Sequence, residues 1–317
     1  MIVRTATYNS SQSILDGAMY HQSQIMKLQN QINSEKKVNY LYDSPIDNGT
    51  ILSLNSQLAK IDTYYSNIEN SKTLINATDG AFSSMIDKMQ RIYDLTVQAA
   101  SASSGSTGVT AAKTEIQELM KGIVADANTQ YNGQYIFGGS KTGVEPFSYD
   151  EATGSIKYNG SPSTDPTSLR QIEISNGISV SVNITGDAAF GSYNYDGTTA
   201  PATVTGDGVF LALGNLSKAL NTDPPNFDLI REQIDPIKAG INSISETQSV
   251  FGSNISRLEM TKTSLESLAL NVTSQKSFLE DLDIPTAMSD LINQNYAYQA
   301  SLQAFSMTRQ NSLLNYL

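Results

Sequence analysis

Apolar side chains recur every seven residues along two long stretches of this chain, and that spacing is the signature of paired helices. In the first half, Leu54, Ile61, Ile68, Ile75, Phe82 and Met89 form one row. Ile51, Leu58, Tyr65, Ile86 and Tyr93 fill a companion row. In the second half, Ile237, Ile244, Phe251, Leu258, Leu265, Val272 and Leu279 repeat without a missed position. Roughly 50 helical residues at about 1.5 Å each give a rod of about 75 Å. Lys72 and Asp79 interrupt the companion row and Gly80 adds about 1 kcal/mol of helix penalty, so the middle of the first rod helix reads as its weak point. Polar residues at such positions more often set register than perform chemistry.

A shorter stripe opens the chain, with Ile14, Ala18, His21, Ile25, Leu28 and Ile32 at alternating steps of four and three. It stops near Ser34-Glu35-Lys36-Lys37. Asp43-Ser44-Pro45 then predicts a loop reaching to about Asp47, because the residue before proline is pushed out of the helical region. The small polar run Ser101 to Gly108 reverses the chain before a shorter helix carrying Ile116, Met120, Ile123 and Ala127, which Asn132-Gly133 ends. Between about 135 and 205 the period changes to alternation, at Ile172 and Ile174 and again at Ile178, Val180, Val182 and Ile184, with turn dipeptides Asn159-Gly160 and Asn176-Gly177. Helix returns near Gly208. Asp283-Ile284-Pro285 breaks or kinks the long second-half series before a last helix that ends in Leu313, Leu314 and Leu317.

The fold expected is therefore mainly α with an inserted small β domain, in which heptad helices from both ends form a long antiparallel helical rod. Its segments are 1–47, an N-terminal helix and joint; 48–134, the first half of the rod; 135–207, the β insert; 208–285, the second half of the rod; and 286–317, the C-terminal helix. That last helix carries one acid, Asp290, and one base, Arg309, and apolar groups such as Ile292 and Tyr296 stand beside Leu291 and Tyr298. A helix facing water normally has a charged side. This one is buried either in a larger fold or against other copies of the chain.

Composition narrows the chemistry. Of the 317 residues, 39% are hydrophobic and only 16% charged, and the net charge is -11. That balance argues against a nucleic-acid surface, whose affinity rests on Lys and Arg displacing counterions. The longest apolar run, about Val209 to Leu213, is far short of the roughly 20 residues that cross a bilayer, so no membrane insertion is expected. The N-terminus lacks the basic segment and apolar core of a cleaved secretory signal. Cysteine is absent, which removes disulfides, thiolate metal sites and cysteine nucleophiles.

His21, the one histidine, has no second histidine or cysteine to share a metal, and it reads as a packed polar residue of the first stripe. No Gly-x-Ser-x-Gly elbow surrounds a serine. Asp43 and Asp47 lack the spacing of a calcium loop and read as helix-capping and turn-forming residues, while Gly138-Gly139 reads as a turn and not a phosphate cradle. The chain is expected to be no enzyme, with no catalytic site, no metal and no cofactor.

Ser34-Glu35-Lys36-Lys37-Val38 with Tyr42-Asp43-Ser44-Pro45-Ile46, and Ser289-Asp290-Leu291 through Ala300, Leu302, Ser312 and Leu313-Leu314, resemble the joint and C-terminus of the flagellin family of bacterial axial proteins. Gly133-Gln134-Tyr135-Ile136-Phe137-Gly138-Gly139-Ser140-Lys141-Thr142, Pro146-Phe147, and Val182-Asn183-Ile184-Thr185-Gly186-Asp187 with Phe190 are similar to its hook-associated branch. Glu35 departs from the family's usual glycine and Ser44 from its second aspartate, which leaves the bend of the joint open.

The resemblance implies a structural subunit that leaves the cell through the flagellar type III export apparatus and joins hook to filament. It also implies partners: copies of itself in a ring, a hook-side associated protein, flagellin, and a cytosolic export chaperone on the C-terminal helix, about Thr286 to Leu317. The residues expected to carry assembly are Ile25, Leu28, Ile32, Leu302, Phe305, Leu313 and Leu314. Two other readings stay open, filament flagellin itself and a secreted adhesin or hydrolase carried on a helical stalk with its activity in 141–205.

Overall fold

The computed structural model describes the backbone of residues 2–101, 105–150, 155–191, 208–222 and 226–314, and side chains at 12–101, 108–150, 156–191, 208–222 and 226–308. It is mainly helical. Helix α1 spans Ile2–Ser34, α2 Pro45–Ala99, α3 Gly105–Ala127, α4 Gly186–Phe190, α5 Val209–Asn221, α6 Phe227–Glu232, α7 Ile234–Glu280 and α8 Ile284–Leu314. Among the described residues, six short strands form three separate antiparallel hairpins: β1 (Gln130–Tyr131) with β2 (Gln134–Tyr135), β3 (Phe147–Asp150) with β4 (Ser155–Tyr158), and β5 (Gln171–Ser175) with β6 (Ile178–Ser181). None of the described helices is long and apolar enough to cross a membrane.

The chain divides into two units. Unit 1 comprises Met1–Ile61 and Glu266–Leu317, and unit 2 comprises Asp62–Leu265, so the division falls within α2 and α7.

In unit 2 the heptad rows face inward. Ile68, Ile75, Phe82 and Met89 of α2 and Ile237, Ile244, Phe251, Leu258 and Leu265 of α7 are all buried. The polar interruptions find partners across the same pairing. Lys72 meets Glu259 at 2.8 Å, Lys262 meets Glu69 at 2.6 Å, and Gln248 donates to Asp79 at 3.0 Å. As α2 advances α7 recedes, so the helices are antiparallel and these pairs fix their register. Exposed pairs of this kind add little stability, so their role is alignment. Helix α2 runs unbroken through Gly80.

An aromatic cluster packs against the middle of that core, at Phe82 and Phe251. Phe82 packs against Phe137, Phe190 and Phe251, and Phe190 also against Phe147 and Phe210, at ring-centroid distances of 5.1–6.1 Å. Tyr158 joins through Phe147, and its hydroxyl shares its one proton between the Phe137 and Ser161 carbonyls, 3.0 and 2.9 Å away, and accepts from the Gly186 N–H. Burial pushes that hydroxyl's pKa up, so it stays a neutral structural donor. Gly186 is required by space, because a Cβ there would stand 2.4 Å from the Phe147 ring and 2.6 Å from Tyr158.

The strands begin five residues ahead of the expected insert. Asn132 and Gly133 do not simply end a helix: with φ of 50° and 74° they form the two-residue turn of the β1–β2 hairpin. Gly139, φ 66°, turns the chain toward Ser161, and the Gly138 carbonyl accepts from both Lys141 and Ser161. Of the alternating positions, Ile174, Val180 and Val182 are buried and Ile178 is exposed.

Candidate assembly surface

The joint begins where α1 ends. The Glu35 N–H donates to Ile32 O and the Lys36 N–H to Gln31 O, the bond pattern of a Schellman cap, and Glu35 takes the left-handed conformation that this cap demands, φ 58°. Glutamate thus keeps the backbone that glycine adopts without strain. Glu35→Gly is expected to stabilise unit 1 by roughly 0.5–1 kcal/mol, the relief of a left-handed Cβ less glycine's extra chain entropy. Hydrogen exchange at the Leu282 amide, which donates to Glu35 O, should slow in that variant.

The two chain segments at the joint are stitched together. Lys37 N donates to Glu280 O at 2.7 Å and Leu282 N to Glu35 O at 3.0 Å. Lys36 Nζ lies 2.5 Å from Glu280 Oε1, and Lys276 3.4 Å from its other oxygen. Burial pushes the Glu280 carboxyl up, but the two ammonium groups outweigh it and hold the pKa below the ordinary value. Asp43 is likewise desolvated, and the Tyr40 and Asn39 N–H groups with Lys27 outweigh that and lower it. Ser44, ahead of Pro45, hydrogen-bonds Asp47 at 2.6 Å, so Ser44 and Asp47 close the start of α2.

Both depressed carboxyls contribute stability that is complete above their unfolded pKa values, near 4.5 and 3.8, and is lost as pH falls through the lower folded values. Amide exchange at Lys37 and Leu282 is therefore expected to accelerate below about pH 4 more than global unfolding explains. Equal acceleration in Glu280→Gln would refute that linkage.

Helices α1 and α8 lie side by side over much of their length, antiparallel, with His21 Nδ1 hydrogen-bonded to Gln294 Oε1 at 2.7 Å. Ala18 and Ala287 are buried on the facing sides. Ile25, Leu28 and Ile32 are half-buried on the same stripe of α1 as Ala18, and on α8 Leu291, Tyr298 and Phe305 are half-buried too. Leu302 is 42% exposed, and the side chains of Leu313 and Leu314 lie outside the described residues.

The outward side of α8 is also apolar. Ile284, Met288, Ile292 and Tyr296, at steps of four, are 40–68% exposed, and Met307 follows at 63%. Met19, Tyr20 and Met26 of α1 are exposed as well. Around the joint stand Leu41, Tyr42, Ile46 and Phe278, the last 86% exposed, with Tyr40 and Tyr42 stacked at 5.2 Å. Most exposed large apolar side chains among the described residues fall in unit 1. A concentration of exposed apolar side chains in one unit points to a surface of association. The sequence points to Ile292 and Tyr296 through the scarcity of charge, whereas the joint residues carry no periodic signal.

Two family models meet this surface. Residues 6–142 match the bacterial flagellin N-terminal helical region and residues 234–317 the flagellin C-terminal helical region. The chain belongs to the flagellin family. Among similar family members, flagellar hook-associated protein 3 of Escherichia coli K12 is 26% identical over 96% of both chains, and that of Salmonella typhimurium LT2 is 24% identical over 98% of both. Flagellin of Bacillus subtilis is 24% identical over 81% of this chain and 80% of its own. In fold, the chain resembles flagellar hook associated protein-3 of Legionella pneumophila, at TM-score 0.61, 16% identity and coverage of 72% of this chain and 98% of that one. A flagellar junction protein from the same organism gives TM-score 0.57, 14% identity, 74% and 100%. The flagellin-family matches leave residues 143–233 between them, which hold β3 to β6 and the short helices α4 to α6. Among the described residues no group of three His, Cys, Asp or Glu could hold a metal.

Proposed function

We propose that this chain is a structural subunit joining hook to filament in the bacterial flagellum, and that it assembles through α1 and α8. The observation carrying the reading is the apolar outward row of α8, which the chain leaves uncovered although α1 already covers the opposite side. Burying one such side chain fully contributes about 1.5–3 kcal/mol, so a row repeated around a ring of copies supplies cooperative association. Leu302 and Phe305 carry assembly toward the C-terminus together with Leu313 and Leu314, whose side chains lie outside the described residues, and Ile25, Leu28 and Ile32 hold α1 against α8 so that the pair is presented together. The hook-side associated protein and flagellin are the neighbours above and below such a ring. An export chaperone covering about 286–317 keeps the same row from premature association.

The junction reading is supported over filament flagellin by relatives named hook-associated protein 3 that match along nearly the whole chain, the segment 143–233 included. Immunogold electron microscopy of detached flagella, with an antibody raised against residues 135–191, tests it. A narrow band at the hook–filament boundary is expected. Labelling along the whole filament would make the chain a filament subunit instead.

A further inference from the structure

Unit 2 holds an open groove of about 900 Å³ between α2 and the hairpins, lined in part by Asn70, Tyr131, Asn132, Gln134, Tyr135 and Gln171. Its size is in the range of small-ligand clefts. The frame around it is held by internal hydrogen bonds. Asn183 accepts from Arg170 N at 2.6 Å and donates to Ser168 O at 2.8 Å, Asn67 donates to Glu173 O at 2.8 Å, and Ser140 meets Ser161 at 2.6 Å. The amides of Asn70, Asn132, Gln134 and Gln171 take no part in that frame and face solvent with donors and acceptors together. Arg170 and Glu173 are the two charged residues of the lining, opposite in sign, and Glu173 already accepts from Tyr64 and from Gly177 N.

None of the large exposed apolar side chains among the described residues lines the groove, whose apolar groups, among them Leu74, Ile172, Tyr131 and Tyr135, are half-buried, so it offers a protein partner no protruding apolar anchor. A sugar needs the opposite. Its hydroxyls donate and accept at once, which planar amides match with both their groups, and its C–H faces rest on flat rings such as the half-buried Tyr131 and Tyr135. We propose that this groove binds a neutral oligosaccharide, a function separate from assembly and independent of it.

Isothermal titration calorimetry and saturation-transfer NMR on the full chain test this with cellotriose, maltotriose, chitotriose and mannotriose, and with sialyllactose as the acidic arm. Saturable binding of at least one neutral sugar at millimolar concentration is expected. Gln134→Ala with Gln171→Ala should weaken it by about tenfold or more, since two amides that bond the sugar hydroxyls are lost together. Asn70→Ala, on the helical wall, should weaken it too, with thermal melting unchanged in both variants because the replaced side chains are exposed. No saturation by any neutral sugar overturns the proposal, as does a response to sialyllactose alone, or binding that both variants retain. Altered self-association in the variants without sugar binding would make the groove a contact between copies and would also overturn it.

Discussion

A chain carrying Ile292→Asp with Tyr296→Asp is expected to fold as the parent does and to fail to assemble. Both positions lie on the outward row of α8, 50% and 68% exposed, so in the free subunit the new carboxylates stand in water and cost little. In the assembled state the same carboxylates would enter an apolar contact without a cation to meet them. A desolvated, unpaired charge costs several kcal/mol, and two of them lower the association constant by more than about a thousandfold. The checks are sedimentation of polymerised protein in vitro and swarming of a strain carrying the variant, alongside circular dichroism of the monomer. Leu302→Asp with Phe305→Asp should also abolish incorporation, but Phe305 is half-buried, so helix content falls as well. Parental polymerisation and motility in both double variants would refute assembly through α8.

The largest loss of stability is expected from Phe190→Ala. This ring is 1% exposed and packs against Phe82, Phe137, Phe147 and Phe210, so its removal leaves a cavity that four aromatic rings cannot refill without leaving their own contacts. Large-to-small changes of this kind cost about 3–5 kcal/mol. Against a typical domain stability of about 5–15 kcal/mol, that is a major fraction. Urea unfolding followed by tyrosine fluorescence should show the shift in midpoint. A loss below about 1 kcal/mol would mean that the cluster collapses freely and does not behave as one core.

Gln248 and Asp79 illustrate how far periodicity carries. Asp79 looks like a flaw in a heptad row, and the expectation that it sets register is met by a partner on α7, because a seven-residue repeat puts every interruption opposite a definite position of the facing helix. Asp43 and Asp47 were legible for a similar reason: turn and capping chemistry is local, so the Asn39 and Tyr40 N–H groups that Asp43 accepts from, and the Ser44 hydroxyl that Asp47 accepts from, are neighbours in sequence. Phe137, Phe147 and Phe190 were visible only as parts of family-like motifs. Nothing in their spacing says that Phe137 and Phe190 meet Phe82, which lies far from them along the chain, or that Phe147 meets Phe190.

The sequence alone determined the helical class, the heptad faces of α2 and α7, the break before Pro45, the alternating segment between them and the charge-poor last helix. Periodicity and local backbone preference act within a few residues of each position, so they can be read without knowing the fold. Tertiary structure decided which side of α8 remains open, that Glu35 takes a left-handed cap bound to Leu282, and that amides from α2 and two hairpins share one groove. Those outcomes depend on which distant surface is covered first. A helix apolar on two sides has no intrinsic preference between them until a neighbour, here α1, occupies one.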